Sequence, residues 1–262
     1  MLARANKIRS LLPGLFAALV ITFGTSVAQA RNDVNLVIAL DSSWSVSGSE
    51  FALQLGGIST VFSEPQIIAA IGDGTRGQIG VTITQWSTKH SQKIAVPWTQ
   101  IKSVEDAIRL ANRVARLERL TVEGGTSISG ALQHGQALLN TAPFRADRHI
   151  IDVVADGENN NGERVETARN ALIRLGTTIN GLAIVNERSW LHHYLRNRVI
   201  GGPGAFVERA ADYQDFVHAF RRKLLREIKG DNLTQEIPDG NSRPQRANLR
   251  DIPLLLVPVE KM

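Results

Sequence analysis

The segment Leu36-Val37-Ile38-Ala39-Leu40-Asp41-Ser42-Ser43-Trp44-Ser45 decides the fold of this chain. Its first half, residues 36–40, is an uninterrupted apolar run, which predicts a strand buried on both faces. The polar second half then falls at the carboxyl end of a central strand, where open α/β sheets place their ligand sites. Asp41, Ser43 and Ser45 supply one carboxylate and two hydroxyls at alternate positions. Such hard oxygens suit Mg²⁺, Mn²⁺ or Ca²⁺ rather than zinc or copper.

Two later segments supply more oxygen ligands of the same kind. Gly124-Gly125-Thr126 precedes a helical pattern of apolar residues, and Asp156-Gly157 follows a second buried run, residues 150–155. Because glycine tolerates positive φ, we expect the glycine pair to let the backbone bring Thr126 close to the first segment. Asp152 lies within the second run, where it is either structural or an internal polar partner.

The three segments, D-x-S-x-S, G-G-T and D-G after a strand, resemble in this order the metal-ion-dependent adhesion site of von Willebrand factor type A domains. The resemblance covers roughly residues 33–229. It maps the family's metal residues onto Asp41, Ser43, Ser45, Thr126 and Asp156. The alternative is that these are ordinary helix-entry hydroxyls and a turn-forming aspartate, which requires five independent coincidences.

The resemblance also implies a cofactor and a kind of partner. The cofactor is a divalent cation, with Mg²⁺ favoured over Mn²⁺ and Ca²⁺. Because three of the five ligands are neutral hydroxyls, the cation stays electrophilic, and the resemblance implies that a partner's Glu or Asp carboxylate fills an open position. The chain is also similar to a bacterial group of such domains that has no known function.

One position departs from the family pattern. The residue between the two ligand serines is usually small, commonly Gly, but here it is Trp44. Its ring could stand at the rim of the metal site and contact a partner. It could equally pack into its own domain, and the sequence leaves both possibilities open.

The first 30 residues have the layout of a signal peptide. Arg4, Lys7 and Arg9 form a basic region, an apolar stretch follows, and Ala28-Gln29-Ala30 has the small-x-small form of a cleavage site. A membrane anchor is the alternative, but the apolar stretch is too short to span a bilayer comfortably. We therefore expect a mature chain that begins at Arg31 and is periplasmic or secreted.

Composition limits the partners further. The formal charge of the whole chain is +5, and loss of the three basic residues of the signal peptide lowers it to +2. No basic run with interleaved aromatic residues appears, which argues against nucleic acid as a partner. No apolar stretch of the mature chain is long enough to span a membrane, and the chain contains no cysteine.

The rest of the chain alternates between strand and helix patterns, which predicts a doubly wound α/β fold with a mostly parallel sheet and helices on both faces. A capping box, Ser47-x-x-Glu50, opens the first helix, and Asp212 is expected to cap the last one. Pro97 cannot donate a backbone hydrogen bond to a neighbouring strand, so residues 94–98 are expected to form an edge strand. We expect this edge strand to be antiparallel. Residues 72–77 match G-x-G-x-x-G, but they precede a strand, so they indicate a helix-to-strand loop. Residues 230–262 read as a linker and C-terminal tail.

Two classes of function fit these residues. The first is an exported metal-dependent module that binds a protein or peptide. The second is a metal-assisted hydrolase or phosphoesterase, which needs a general base near the metal. Glu158 is the nearest candidate base, but it more simply solvates its loop. We therefore favour binding over catalysis.

Overall fold

The computed structural model describes residues 31–230. Within this range six strands alternate with helices in the predicted order. The strands are β1 (Arg31–Asp41), β2 (Ile79–Trp86), β3 (Gln92–Ile101), β4 (Arg145–Ala155), β5 (Thr178–Ile184) and β6 (Val207–Ala210). The α-helices are α1 (Gly48–Phe62), α2 (Pro65–Gly72), α3 (Val104–Val114), α4 (Ile128–Asn140), α5 (Val165–Arg174), α6 (Leu191–Tyr194) and α7 (Phe216–Lys229), and a π-helical turn (Leu195–Val199) extends α6.

All six strands form one sheet, in the order β3-β2-β1-β4-β5-β6. Every neighbouring pair is parallel except β2 and β3. The predicted doubly wound fold with one antiparallel edge strand is therefore confirmed. The order reverses at β1, so the adjacent carboxyl ends of β1 and β4 form the topological switch point at which such sheets bind ligands.

The edge strand β3 is longer than residues 94–98. Its register with β2 shifts between the pairs Val81–Thr99 and Ile83–Val96, so Pro97 lies within an irregular stretch of the pairing. A proline there removes no regular ladder hydrogen bond, which explains how the strand continues on both sides of it.

The strands are buried because helices cover both faces of the sheet. Val34, Leu36, Ile38 and Leu40 of β1 pack into one core with α1, α2, α3 and α7. The alternate residues Val37 and Ala39 face the second core, formed with α4, α5 and α6. The apolar run of β1 is therefore needed at every position, since both faces of this strand are in a core.

The helix starts show one confirmed prediction and one error. Ser47 caps α1, and its partner Glu50 completes the capping box. Asp212 does not cap α7, because the helix begins at Phe216 with Asp215 in the N-cap position. Instead, Asp212 Oδ1 accepts a hydrogen bond from the Asp215 backbone N–H at 2.8 Å and stabilises the turn before the helix. Helix α2 was not anticipated, although Pro65 at its first turn is a typical helix-start signal.

Residues 72–77 connect the end of α2 to β2 and form a loop, as predicted. No helix within residues 31–230 has the length and apolar character needed to cross a membrane. The expected signal peptide, residues 1–30, and the tail beyond residue 230 lie outside the described residues.

Candidate metal centre

The sheet brings the first and third predicted motifs together. Leu40 and Val154 are paired in the parallel register of β1 and β4, so both chains leave the sheet side by side. Asp41 is the last residue of β1, and Asp156 follows the last residue of β4. Both carboxylates are buried at this edge.

The five predicted ligand residues form one continuous cluster of oxygens. Thr126 Oγ1 donates to Ser43 Oγ at 3.3 Å, and the hydroxyls of Ser43 and Ser45 are also 3.3 Å apart. Ser45 Oγ donates to Asp156 Oδ1 at 2.8 Å, and the Ser43 backbone N–H donates to Asp41 Oδ1 at 2.8 Å. The structure thus gathers all three sequence motifs at one point, although they are far apart along the chain.

The electrostatics of this cluster favour a cation. Burial and the nearby charge of Asp156 raise the pKa of Asp41 to about 8, although hydrogen bonds from Ser43 oppose that rise. Burial likewise raises the pKa of Asp156, although hydrogen bonds from Ser45 and Tyr213 and the charge of Arg188 oppose that rise. Two buried carboxylates this close repel each other when both are ionised, and a divalent cation would relieve that repulsion.

One carboxylate oxygen of this cluster lacks a hydrogen-bond partner among the described residues. Asp41 Oδ2 is fully buried, and no described residue gives it a hydrogen bond. Buried polar atoms are normally satisfied, so an orphan carboxylate oxygen beside three hydroxyls fits a metal ligand. Among residues 31–230 no three His, Cys, Asp or Glu side chains converge as a metal site. The fit therefore depends on the serine and threonine hydroxyls, as expected for a hard cation.

Thr126 is positioned by an asparagine that sequence reasoning did not identify. The Thr126 backbone N–H donates to Asn160 Oδ1 at 2.8 Å, and the Asn160 backbone N–H donates back to the Thr126 carbonyl at 2.9 Å. This reciprocal pair joins the loop before α4 to the loop after β4. The signal available in the sequence is the polar run Asn159-Asn160-Asn161, which by itself indicates only a turn.

The reason given for the glycine pair was wrong. Neither Gly124 nor Gly125 has a positive φ. Space is the true requirement, because a Cβ on Gly124 would lie 2.4 Å from Thr88 Cγ2 and one on Gly125 would lie 2.9 Å from Asn160 Oδ1. The glycines allow close approach of two loops, which is the other common use of this residue.

Two further residues complete the surroundings of Asp156. Tyr213, from the loop before α7, donates from its hydroxyl to Asp156 Oδ2 at 3.2 Å. Arg188, from the loop after β5, donates from Nη1 to the Asp156 main-chain oxygen at 3.2 Å. No local sequence pattern marked either residue, since each reaches the site only through the fold.

A cleft of about 450 Å³ opens above the oxygen cluster. Trp44 is 79% exposed at its edge, so the ring does not pack into its own domain. The Trp44 backbone N–H donates to the Gly124 carbonyl at 2.9 Å, which fixes the base of this residue while leaving the ring free. The cleft is lined by Trp44, Ser45, Gly124, Gly125, Thr126, Gly157, Glu158, Asn160 and Arg188.

The fold defines the class of this protein. The mostly parallel six-stranded sheet with one antiparallel edge and helices on both faces is the fold of von Willebrand factor type A domains. Residues 31–232 match a protein family model described as "Protein of unknown function (DUF1194)", and the chain belongs to that family. A comparison with curated proteins gave no match.

Solved structures support the fold at low sequence identity. A pilus adhesin, SpaC, from Lactobacillus rhamnosus GG has a TM-score of 0.53 at 14% identity, covering 77% of this chain and 31% of its own. Proximal thread matrix protein 1 of the mussel byssus, with a zinc-occupied MIDAS motif, has a TM-score of 0.52 at 14% identity, with coverages of 77% and 49%. A von Willebrand factor type A structure from Catenulispora acidiphila has a TM-score of 0.50 at 16% identity, with coverages of 76% and 43%. This chain therefore spans less than half the length of each of these solved chains.

Proposed function

We propose that this protein is a metal-dependent binding module that captures a carboxylate of a protein or peptide partner. The observation that carries the proposal is the buried pair Asp41 and Asp156, which lies beneath the cleft lined by Ser45 and Thr126 and forms no salt bridge with a lysine or arginine of residues 31–230. A buried carboxylate pair with an orphan oxygen and an opening to solvent suits an external cation.

Each of the five residues has a role in this proposal. Asp41 and Asp156 supply the negative charge, while Ser43, Ser45 and Thr126 supply neutral oxygens. Mg²⁺ is the favoured ion, with Mn²⁺ and Ca²⁺ as alternatives, because all five donors are hard oxygens. When bound, the cation supplies an electrophilic point that attracts an anionic oxygen of the partner.

The comparisons are compatible with this function without establishing it. One similar structure has a zinc-occupied MIDAS motif, and another is a pilus adhesin. Both belong to proteins of less than 25% identity, so they support the fold, and the ligand chemistry of this chain is argued from its own residues.

We propose in addition that the domain acts outside the cytoplasm. The support is the basic, apolar and small-residue layout that ends at Ala30. N-terminal sequencing of the protein recovered from the cell envelope should begin at Arg31. A full-length protein retained in the cytosol would refute the export proposal.

Metal binding is tested by thermal unfolding of residues 31–262. A ligand that binds only the native state raises the melting temperature, so Mg²⁺ or Mn²⁺ should do so. Asp41→Ala and Asp156→Ala should abolish the response while the circular dichroism spectrum is retained. Asp73→Ala is the control, since Asp73 is an exposed carboxylate in the loop after α2. An unchanged metal response in both site variants would place any metal elsewhere.

Partner capture is tested by retention of proteins from an envelope extract in Mg²⁺ and in chelator. Retained partners should be lost with chelator and with Thr126→Ala. Metal-dependent turnover of generic phosphoesters or esters that disappears in Asp41→Ala would instead establish the hydrolase alternative.

A further inference from the structure

Arg188 lines the cleft above the oxygen cluster but makes few polar contacts within its own domain. Both of its polar contacts involve Nη1, which donates to the Asp156 carbonyl at 3.2 Å and lies 3.6 Å from a carboxylate oxygen of Glu187. The side chains of Arg188 and Glu187 are 37% and 60% exposed, so this ion pair contributes little. Within residues 31–230, Nε and Nη2 have no hydrogen-bond partner.

The guanidinium of Arg188 and the hydroxyl of Thr126 lie on either side of Gly157. A Cβ placed on Gly157 would be 3.6 Å from Thr126 Oγ1 and 3.9 Å from Arg188 Nη1. The two groups therefore flank one small space, which Gly157 leaves open because it has no side chain. A single carboxylate group can reach across such a space.

A cation in the cluster and Arg188 beside it would repel each other. The charges of Asp41 and Asp156 would offset that of a divalent cation, while the charge of Arg188 is only weakly paired with the exposed carboxylate of Glu187. Nε and Nη2 of Arg188 are therefore still able to donate to an anion from outside. An arginine beside a bound cation would weaken metal binding. Its position is explained if the guanidinium instead binds the partner's anion.

Resting on the proposed function, we propose that Arg188 is a specificity-determining residue that binds the partner's carboxylate together with the cation. With a cation bound, one oxygen of the partner's carboxylate would bind the cation and the other would accept a hydrogen bond from the guanidinium of Arg188. The site thereby selects a carboxylate over a neutral amide, since only the charged group satisfies both the cation and Arg188.

The test uses an end-blocked peptide with a single Glu in an otherwise uncharged sequence, and its Gln counterpart. Binding is followed by chemical-shift titration of the ¹⁵N-labelled protein in Mg²⁺ and in chelator, and Mg²⁺ affinity is measured separately by calorimetry. Arg188→Gln should weaken Glu-peptide binding by about tenfold, the size of one partly exposed charge-assisted contact. Its Mg²⁺ affinity should stay the same or rise, because a repelling charge is removed. Arg188→Lys should recover part of the peptide binding, and Arg113→Gln, an exposed arginine on α3, should change neither value.

The two proposals fail in different ways. Glu-peptide binding that depends on Mg²⁺ but is equal in Arg188→Gln would overturn the role of Arg188 and leave the binding module intact. A parallel loss of peptide and metal affinity in Arg188→Gln would also overturn it, because Arg188 would then act through the metal site. If the unmodified protein binds Mg²⁺ but shows no Mg²⁺-dependent preference for Glu over Gln, carboxylate capture itself is refuted, and the role of Arg188 with it.

Discussion

Two pairs of buried carboxylates lie on this fold, and they are satisfied in different ways. Asp152 and Glu227 surround Lys223, and all three side chains are buried between the sheet and α7. Lys223 Nζ lies 2.7 Å from Asp152 Oδ1 and also forms an ion pair with Glu227. Asp41 and Asp156 lie at the carboxyl edge of the same sheet, beneath the cleft, and no lysine of the described residues forms a salt bridge with either of them.

The difference teaches how to distinguish a structural charge cluster from a ligand site. Burial raises the pKa of Asp152 to about 7 and that of Asp41 to about 8. The charge of Lys223 opposes the rise at Asp152, whereas the charge of Asp156 adds to the rise at Asp41. The carboxylates paired with the buried lysine hold the fold together, whereas we propose that the cluster without such a lysine among residues 31–230 binds an external cation.

The largest expected change in stability comes from removing the positive charge of the buried Lys223. Lys223→Met should lower the free energy of unfolding by about 3–5 kcal/mol, because it leaves buried carboxylates without a counter-charge. Urea denaturation at pH 7 measures this loss. Lys229→Met, at the exposed end of the same helix, should change stability by less than about 0.5 kcal/mol. A similar small change in both variants would show that the buried cluster is not structural.

The second largest change in stability is expected from removing the carboxylate charge of Asp41. The folded-state pKa of Asp41, about 8, lies above its ordinary value of 3.8, so the unfolded chain releases this proton first. In chelator, stability should therefore fall as the pH rises between these two values. Asp41→Asn should remove that contribution, giving a variant roughly 1–3 kcal/mol more stable than the unmodified protein near pH 7.5.

Mg²⁺ sharpens this second prediction, because it should stabilise the unmodified protein and leave Asp41→Asn unchanged. Urea unfolding of both proteins across the pH range measures the contribution of Asp41 together with its interaction with Asp156. Parallel stability curves in chelator would contradict the idea that Asp41 is an uncompensated charge.

A smaller effect, on Mg²⁺ affinity, is expected from adding a methyl group between the two loops that position Thr126. In Gly125→Ala the new methyl would press on Asn160 Oδ1, which accepts from the Thr126 backbone N–H. We expect Mg²⁺ affinity to fall by about fivefold, or about 1 kcal/mol, measured by calorimetry. Gly72→Ala is the matched control, because nothing lies within 4 Å of its added Cβ. Unchanged Mg²⁺ affinity in Gly125→Ala would indicate that Thr126 need not be held so closely.

The smallest effect on stability is expected at the rim. Trp44→Ala should change the free energy of unfolding by less than about 0.5 kcal/mol, since the ring is 79% exposed. Metal affinity should be unchanged, but retention of partners in Mg²⁺ should fall, because exposed aromatic rings often dominate binding energy. Val122→Ala, another exposed apolar residue outside the cleft, serves as control. Full partner retention by Trp44→Ala would remove the ring from the proposed contact surface.

Much of the fold and the outline of the site could be predicted because the signals are local. A buried strand followed by polar residues is visible in residues 36–45, and the alternation of strands and helices places their carboxyl ends at one edge. Asn160, Arg188 and Tyr213 were not found, because each contacts the site from a different loop. Trp44 was left between two interpretations, since exposure depends on the path of the neighbouring loops.

The sequence by itself determined the order of the elements and the residues that could serve as ligands. Only the tertiary structure decided which buried aspartates keep their own counter-charge. Asp152 and Asp156 are four residues apart, and although the D-G motif marks Asp156 as a candidate ligand, nothing local indicates that Asp152 pairs with a lysine. Lys223 reaches Asp152 from α7, while Asp156 leaves the sheet beside Asp41, where no helix of residues 31–230 brings a lysine or arginine into a salt bridge with either aspartate. The physical reason is that burial and long-range charge set the state of a carboxylate, and both arise only when distant segments pack together.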